Sequence, residues 1–414
     1  MEIIFLDNGL SSKAEHSYNL AKKVGEALTR RALRYRVFGM KSMDPSISGE
    51  IDAIPHFSRS LYEHETPTRN ERRLRSLIAM IRGASFDASS PSELTSSKIL
   101  NASFEKDLDA LPAEVWSPAN IIVIPAISQN QIFGLIRCLL ARPLNLRPRV
   151  ICQLMFPPTW TSFGRNAAFG QGLYRKAFRL ADRMIGKTLF FTTENDAIGR
   201  LYRDKFGIET KILPIPFGQT RRAAVTVGRP RLGFFGYSKS DKGFHLLPEA
   251  IEFGQNNGLE ADFTVQVQHG GWERTTLEAE RRLRSMKGVR LIEGILSSDE
   301  YMAETHKIDV MLLPYDPFLF GLRGSGIFTE SVASGRPIVA SAGTFAAKSI
   351  QRGEAEGEVF EPYNARELSG AIARLLPDLA MRQTRAAERA KAFVQTHSAD
   401  SYVDVLLAHA NNYA

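Results

Sequence analysis

The sequence predicts an α/β fold in two domains, each built on a parallel sheet, and three observations predict it. Strand-like apolar runs alternate with helical patterns through most of the chain, the order that gives parallel sheets covered by helices. The 414 residues exceed one ordinary core and suit two of about 200. The segment MLLPYDPFLFGLRGSGIFTESVASGRPIVAS, Met311 to Ser341, reads as strand, glycine-rich loop, helix and strand.

The elements follow in order. Glu2 to Leu6 is a first strand, and DNGLSSKAEHS is a glycine-containing loop feeding a helix over Tyr18 to Arg31. Arg36 to Gly39 fits a second strand. The polar stretch Asp44 to Ala113, with SPSELTSSK and the basic cluster RNERRLR, reads as one or two amphipathic helices among mobile loops. Alternation resumes with strands to Ile127, over Val150 to Phe156, Thr188 to Thr193 and Lys211 to Ile215. The helices between them run over Gln129 to Ala141, Arg165 to Arg183 and Asn195 to Phe206.

A first domain over 1–218 is therefore expected, with a linker at Gln219 to Arg229 and a closing helix, from about residue 398, returning to it. The second domain, 230–397, opens with a strand at Leu232 to Phe235, a polar loop carrying Gly236, Lys239 and Lys242, and a helix starting at Gly243. Strands at Phe263 to Gln268 and Val289 to Ile292 alternate with helices at Glu273 to Met286 and Ser298 to Lys307. Asp309 to Leu313, stopped by Pro314, and Pro337 to Ala340 are two more buried strands.

Chemistry concentrates in that second half. Gly324, Ser325 and Gly326 let the backbone approach a ligand, and the helix behind them offers N–H groups at its positive end, which suits a phosphate. Glu330 lies about one turn further on, where a carboxylate accepts hydrogen bonds from vicinal hydroxyls. Alone, the segment also fits a tight turn followed by a solvated glutamate. The alternation of the whole half favours a ligand at the carboxyl ends of the strands. His269, in QVQHGGW just past a strand, is either a polar loop residue or a ligand contact.

Three blocks in this order, GYSKSDKG with its helix, GILSSDEY before DVMLLPY, and SGIFTESVASGRPIVAS, resemble the donor domain of GT-B glycosyltransferases, nearest the large retaining group known as family 4. The resemblance spans roughly residues 230 to 400. It implies a GT-B fold, two Rossmann-like domains facing across a cleft, that moves a sugar from a nucleotide-diphosphate donor to an acceptor hydroxyl.

By the same resemblance, Glu330 holds the ribose, Lys242 the diphosphate, the backbone of Ser325 and Gly326 the phosphate or sugar, and Gly294 to Leu296 the base. Lys242, Arg323 and Glu330 become the catalytic candidates, with Lys239 and the helix dipole as further anion stabilisers. In the first domain Gly9 faces the donor diphosphate, and Glu15, His16 and Gln153 lie on the acceptor side. His16 also fits a solvated helix start. Two positions depart from the family pattern. Tyr237 stands where an arginine is usual and Leu322 where a glutamate is usual. Two other readings therefore stay open, a degenerate GT-B scaffold and a nucleotide-sugar 2-epimerase.

Composition narrows the partners. Residues 1–220 hold 30 Lys and Arg against 21 Asp and Glu, whereas the rest hold 23 against 24, so the first domain carries the basic character. Between Arg137 and Lys187 ten basic residues meet one acid, Asp182, and RNAAFGQGLYRKAFRLADRMIGK threads Phe169, Leu173, Tyr174, Phe178, Leu180 and Met184 among them. That pattern fits either a core helix with a solvated basic face or docking to an anionic membrane. Nucleic acid is disfavoured because no recognition motif accompanies the charge.

The resemblance implies a glycan or lipid-diphosphate acceptor in bacterial surface polysaccharide synthesis, with the enzyme peripheral on the cytoplasmic face of the inner membrane. Cys138 and Cys152 are expected as reduced core thiols. The eight histidines lack ligand spacing, so neither metal nor cofactor is expected beyond the nucleotide sugar. Asp107 and Asp109 form a D-x-D at a helix end rather than a strand end, which argues against a metal-diphosphate role.

Overall fold

The computed structural model describes residues 1–13, 16–65, 68–81, 92–158, 167–217, 228–268 and 273–411. It divides into two units, Met1–Leu213 with Val403–Ala414, and Pro214–Tyr402.

The first unit holds seven strands: β1 (Ile3–Leu6), β2 (Tyr35–Met40), β3 (Ala53–Phe57), β4 (Ile121–Ile124), β5 (Arg149–Gln153), β6 (Leu189–Thr193) and β7 (Lys211–Ile212). They form one parallel sheet in the order β3-β2-β1-β4-β5-β6-β7. IIFL in β1 and IIVI in β4 are buried at every position, as strands covered on both faces must be.

β3 corrects the sequence reading, which placed only helices and loops between Asp44 and Ala113. AIPHF carries a proline, the usual mark against a strand. At the sheet edge the missing N–H costs no ladder bond, so Pro55 is tolerated there. Three helices fill the rest of that stretch, Pro45–Ile51, Arg69–Ile81 and Glu93–Asp109. The carboxylate of Asp107 accepts from the Ser58 amide and hydroxyl, both at 2.8 Å, so half of the D-x-D is a structural tie to β3.

The second unit repeats the plan with β8 (Arg231–Phe234), β9 (Asp262–Val267), β10 (Val289–Glu293), β11 (Val310–Leu313), β12 (Ile338–Ser341) and β13 (Gly357–Phe360). Their order is β10-β9-β8-β11-β12-β13, again all parallel. Alternate residues of β11 enter opposite faces. Val310 and Leu312 pack with Phe234, Phe244 and Phe263, and Met311 and Leu313 with Phe235 and Phe328.

A second correction concerns the helix expected at Gly243. Two short 3-10 turns, Ser240–Lys242 and Phe244–Leu246, come first, and the helix itself runs Leu247–Asn256. Gly243 causes the delay. Its φ of +73° is left-handed, and a Cβ there would lie 1.8 Å from the Pro314 carbonyl oxygen, so the residue is a corner pressed against the end of β11 rather than a helix start.

The basic segment of the first unit fits the first of its two readings, a core helix with a solvated basic face. Tyr174 and Phe178 are buried and pack with Phe191, Tyr202 and Phe206, and Met184 is buried too, so half of the apolar residues threaded among those charges are core, while Leu180 is exposed. Arg137 pairs with Glu105 and Arg142 with Asp109, while Arg147 bonds the Arg142 carbonyl. Arg175, Lys176, Arg179 and Arg183 remain exposed. Both cysteines are free and buried, and burial pushes the Cys138 thiol up to about 12. Among the described residues no helix is long and apolar enough to cross a membrane.

Candidate functional site

In an open parallel sheet the ligand crevice opens where neighbouring strands send their connections in opposite directions. In the second unit that point lies between β8 and β11. Three loops meet around it, and a web of hydrogen bonds fixes them.

The loop after β8 turns at Gly236 (φ +96°), whose amide donates to Gln266 Oε1 at 2.9 Å. The same Gln266 donates from Nε2 to the Gly294 carbonyl at 2.9 Å, tying in the loop after β10. Ser238 exchanges backbone and hydroxyl bonds with Gln268, and Glu273 accepts from the Ser240 amide and hydroxyl. Gly243 abuts Pro314, and the Asp316 amide donates to the Asp241 carbonyl at 2.8 Å, which brings in the loop after β11.

Charge gathers inside this frame. Lys242 Nζ lies 5.7 Å from the Tyr237 ring centre and 5.9 Å from that of Tyr315, and Lys239 Nζ lies 5.3 Å from Tyr237. Arg323 stacks on Phe320 at 4.9 Å. Burial, helped by the neighbouring charges of Lys239 and Arg323 and opposed by Asp241, lowers the Lys242 ammonium to about 8. Three cations crowded enough to depress one of them make a site that an anion relieves. Tyr237, where an arginine is usual, thus gives an aromatic face to two lysines.

Ser325 caps the helix Gly326–Ala333, its Oγ accepting from the Phe328 amide at 3.3 Å and lying 3.2 Å from the Tyr315 hydroxyl. Burial raises Tyr315 to about 12, so its hydroxyl stays protonated. Gly326 is exposed, and a Cβ there would meet nothing within 4 Å, so the first turn of the helix is approachable. Glu330 is further along the same helix. Tyr301, whose own hydroxyl is raised well above the ordinary value by burial first and by Glu330 second, donates to that carboxylate. Buried Arg336 adds its field and binds the Thr305 and Ile308 carbonyls.

The expected donor residues Gly236, Lys239, Lys242, Gly294, Ser325, Gly326 and Glu330 thus surround one switch point, with Gly324 and Arg323 in the loop just before the helix. Leu296 points its side chain into the core, so any contact with a base is through its backbone. A recess of about 410 Å³ opens beside Gly294, lined by Tyr237, Gln268, Arg284, Glu293 and Ile295 among others. Sequence reasoning missed Gln266 and Tyr301. A glutamine inside the apolar strand DFTVQV was the available signal for the first. His269 and Glu15 lie outside the described residues.

The first unit has its own switch point, between β1 and β4. Asp7 is buried and accepts from the Gly9 amide at 2.8 Å. Ser128, Gln129, Asn130 and Gln131, after β4, are also buried, and Gln153 closes β5 with its carbonyl bonded to the Ile127 amide. His16 opens the helix His16–Arg30 and is exposed. Among the described residues no group of three His, Cys, Asp or Glu side chains stands together as a metal site.

Comparison with known proteins agrees with this architecture. Residues 229–378 match the family described as glycosyl transferases group 1. The matched segment makes up most of the second unit. Solved structures extend the likeness to the whole chain: sucrose-phosphate synthase from Thermosynechococcus elongatus (TM-score 0.66, 14% identity, 98% of each chain); trehalose-6-phosphate synthase OtsA (0.67, 14%, 100% of each); and Anabaena Alr3699/HepE in complex with UDP and glucose (0.62, 15%, 99% of each). At such identities they establish the shared GT-B fold. A search of curated proteins returned no significant match. The chain has the GT-B fold, and the switch point after β8 lies within its family-matched segment.

Proposed function

We propose that this protein is a glycosyltransferase that moves a hexose from a nucleotide-diphosphate sugar to an acceptor hydroxyl, with retention and without a metal ion. The observation that carries the reading is the gathering of Lys239, Lys242 and Arg323 beside the helix start at Gly326, with Glu330 one turn along. In the reaction the bond from the anomeric carbon to the diphosphate oxygen breaks, and the acceptor oxygen forms the new bond. The acceptor proton passes to the departing phosphate, and the cations and helix dipole hold the charge that grows there. Glu330 holds the ribose hydroxyls, the recess beside Gly294 takes the base, and Gly9 faces the diphosphate. His16, Glu15 and Gln153 serve the acceptor.

UDP and glucose in the Anabaena structure make UDP-glucose the first donor to try. The acceptor we favour is anionic and lipid-linked, in bacterial surface glycan synthesis at the cytoplasmic face of the inner membrane. Sugar phosphates are the soluble comparison, after the names of two of the similar structures. A thermal-shift screen of nucleoside diphosphates and their sugars identifies the donor. Release of nucleoside diphosphate that depends on acceptor supports transfer, whereas donor binding with no release points to a scaffold and free epimerised sugar to an epimerase.

A further inference from the structure

We infer that the helix Arg69–Ile81 of the first unit is a docking element for an anionic lipid surface. Its sequence, RNERRLRSLIAMI, sets Leu74, Leu77 and Met80 three residues apart, and all three are exposed, at 58%, 49% and 72%. A helix turned toward its own core would hide that spacing. Arg69, Arg72 and Arg73 are exposed on the same element. Together with Ser76, Leu77 and Met80 they line a shallow depression of about 470 Å³. Apolar side chains flanked by arginines match the two layers of a lipid interface, acyl boundary below and phosphates above.

The one acid of the helix is committed elsewhere. Glu71 accepts from the Ser92 hydroxyl at 2.6 Å, from the Thr95 hydroxyl, and from the Thr68 amide and hydroxyl. Burial works against its charge, and these bonds outweigh burial, holding the carboxyl near about 2. Glu71 therefore anchors the first turn to the start of the helix Glu93–Asp109. Among the described side chains the basic helix around Arg175 turns Tyr174 and Phe178 into the core and leaves Leu180 exposed among its charges, against three exposed apolar side chains on Arg69–Ile81.

This deepens the membrane-acceptor reading and is tested independently of it. The full chain is sedimented with vesicles of phosphatidylcholine alone and with one third phosphatidylglycerol, at low and high salt. Binding is expected on the anionic vesicles, falling with salt. It should drop about tenfold or more in Arg69→Glu/Arg73→Glu and in Leu74→Ser/Leu77→Ser/Met80→Ser, with melting temperature and nucleoside diphosphate affinity unchanged. Undiminished binding by both variants overturns the proposal. So does loss of binding only in Arg175→Glu/Lys176→Glu/Arg179→Glu, or a concentration-dependent dimer abolished by the leucine variant without any vesicle binding. Failure of donor binding with vesicle docking intact would count against the transferase reading alone.

Discussion

The crevices after β1 and after β8 occupy the same place in two sheets of the same strand order, and they are chemically opposite. After β8 and β11 come Lys239, Lys242 and Arg323 and a capped helix whose first turn is approachable. After β1 and β4 come Asp7, Asn8 and Gly9 and the neutral run Ser128 to Gln131, all of the named polar side chains buried. The fold supplies a crevice in each unit. Side chains decide that one gathers cations and the other gathers buried Asp7 and uncharged polar groups. Net charge per domain is thus a poor guide to where the cations of a crevice gather: Asp7 to Gly9 and Ser128 to Gln131, after β1 and β4, carry none, although the first unit holds the basic surplus.

The largest effect that sharpens this comparison is at Gly243. Gly243→Ala should destabilise the protein by about 3 kcal/mol or more, since the left-handed φ costs roughly 1–2 kcal/mol and the contact with Pro314 forces a backbone shift besides. Urea unfolding measures it. A loss below about 1 kcal/mol would mean that the corner yields, and that Lys242 is less firmly placed than the crevice requires.

Next comes the charge itself. Lys242→Ala should weaken nucleoside diphosphate binding by about 1.5–3 kcal/mol, the range for a charge-assisted contact to phosphate. The melting temperature of the free protein should hold or rise, because a crowded cation is removed. Calorimetry showing equal affinity would take Lys242 out of the site and erase the contrast between the two crevices.

The same lysine gives a pH signature. Its folded value near 8 lies below that of a free lysine, so the folded state sheds this proton first. Between about pH 8 and the ordinary lysine range near 10.4 the unfolded chain binds more protons, and this group's contribution to stability rises with pH through that window. Binding runs the other way. A bound diphosphate favours the ammonium, so at pH 8 to 9 binding should take up a proton and affinity should fall by up to about tenfold per pH unit. Calorimetry in buffers of different ionisation enthalpy detects the uptake. None in the wild type, or the same uptake in Lys242→Ala, would assign the proton to another group.

How much of this was legible in the sequence differs between the same two regions. In the second unit the glycine loop, the lysines and Glu330 were readable as a group because glycine, a basic side chain and a helix start stand close along the chain. Gln266 and Tyr301 were not, because each works across the sheet, and only the strand order brings Gln266 beside Gly236 and Gly294. In the first unit β3 was hidden by Pro55, whose missing N–H matters at a central strand and not at an edge. The core burial of Tyr174 and Phe178 was hidden too, since an amphipathic pattern reads the same whichever medium covers its apolar face.

Glu330 tests the sugar side of the donor. Glu330→Gln keeps an oxygen for the Tyr301 hydroxyl and removes the charge, so the helix should survive. Ribonucleotide binding should weaken by about 1–2 kcal/mol and deoxyribonucleotide binding by much less. An equal loss for both would turn the effect into a general electrostatic one and leave the ribose without its partner.

The smaller of the two glycine effects on stability is at Gly9, the first unit's counterpart of the glycine corner. Its φ is not left-handed, and a Cβ would come to 3.2 Å from Asp7 Oδ1 and Ser17 Oγ, both side-chain atoms that can give by a few tenths of an ångström. Gly9→Ala should therefore cost no more than about 1 kcal/mol, against several for Gly243→Ala. Its effect on transfer is a separate matter. If Gly9 is where the first unit's backbone approaches the diphosphate, a methyl group there occupies the space the phosphate needs, and donor KM should rise at nearly constant melting temperature. An alanine variant that turns over like the wild type would confine the donor to the second unit's crevice and leave the crevice of the first unit, with its buried Asp7, to the acceptor.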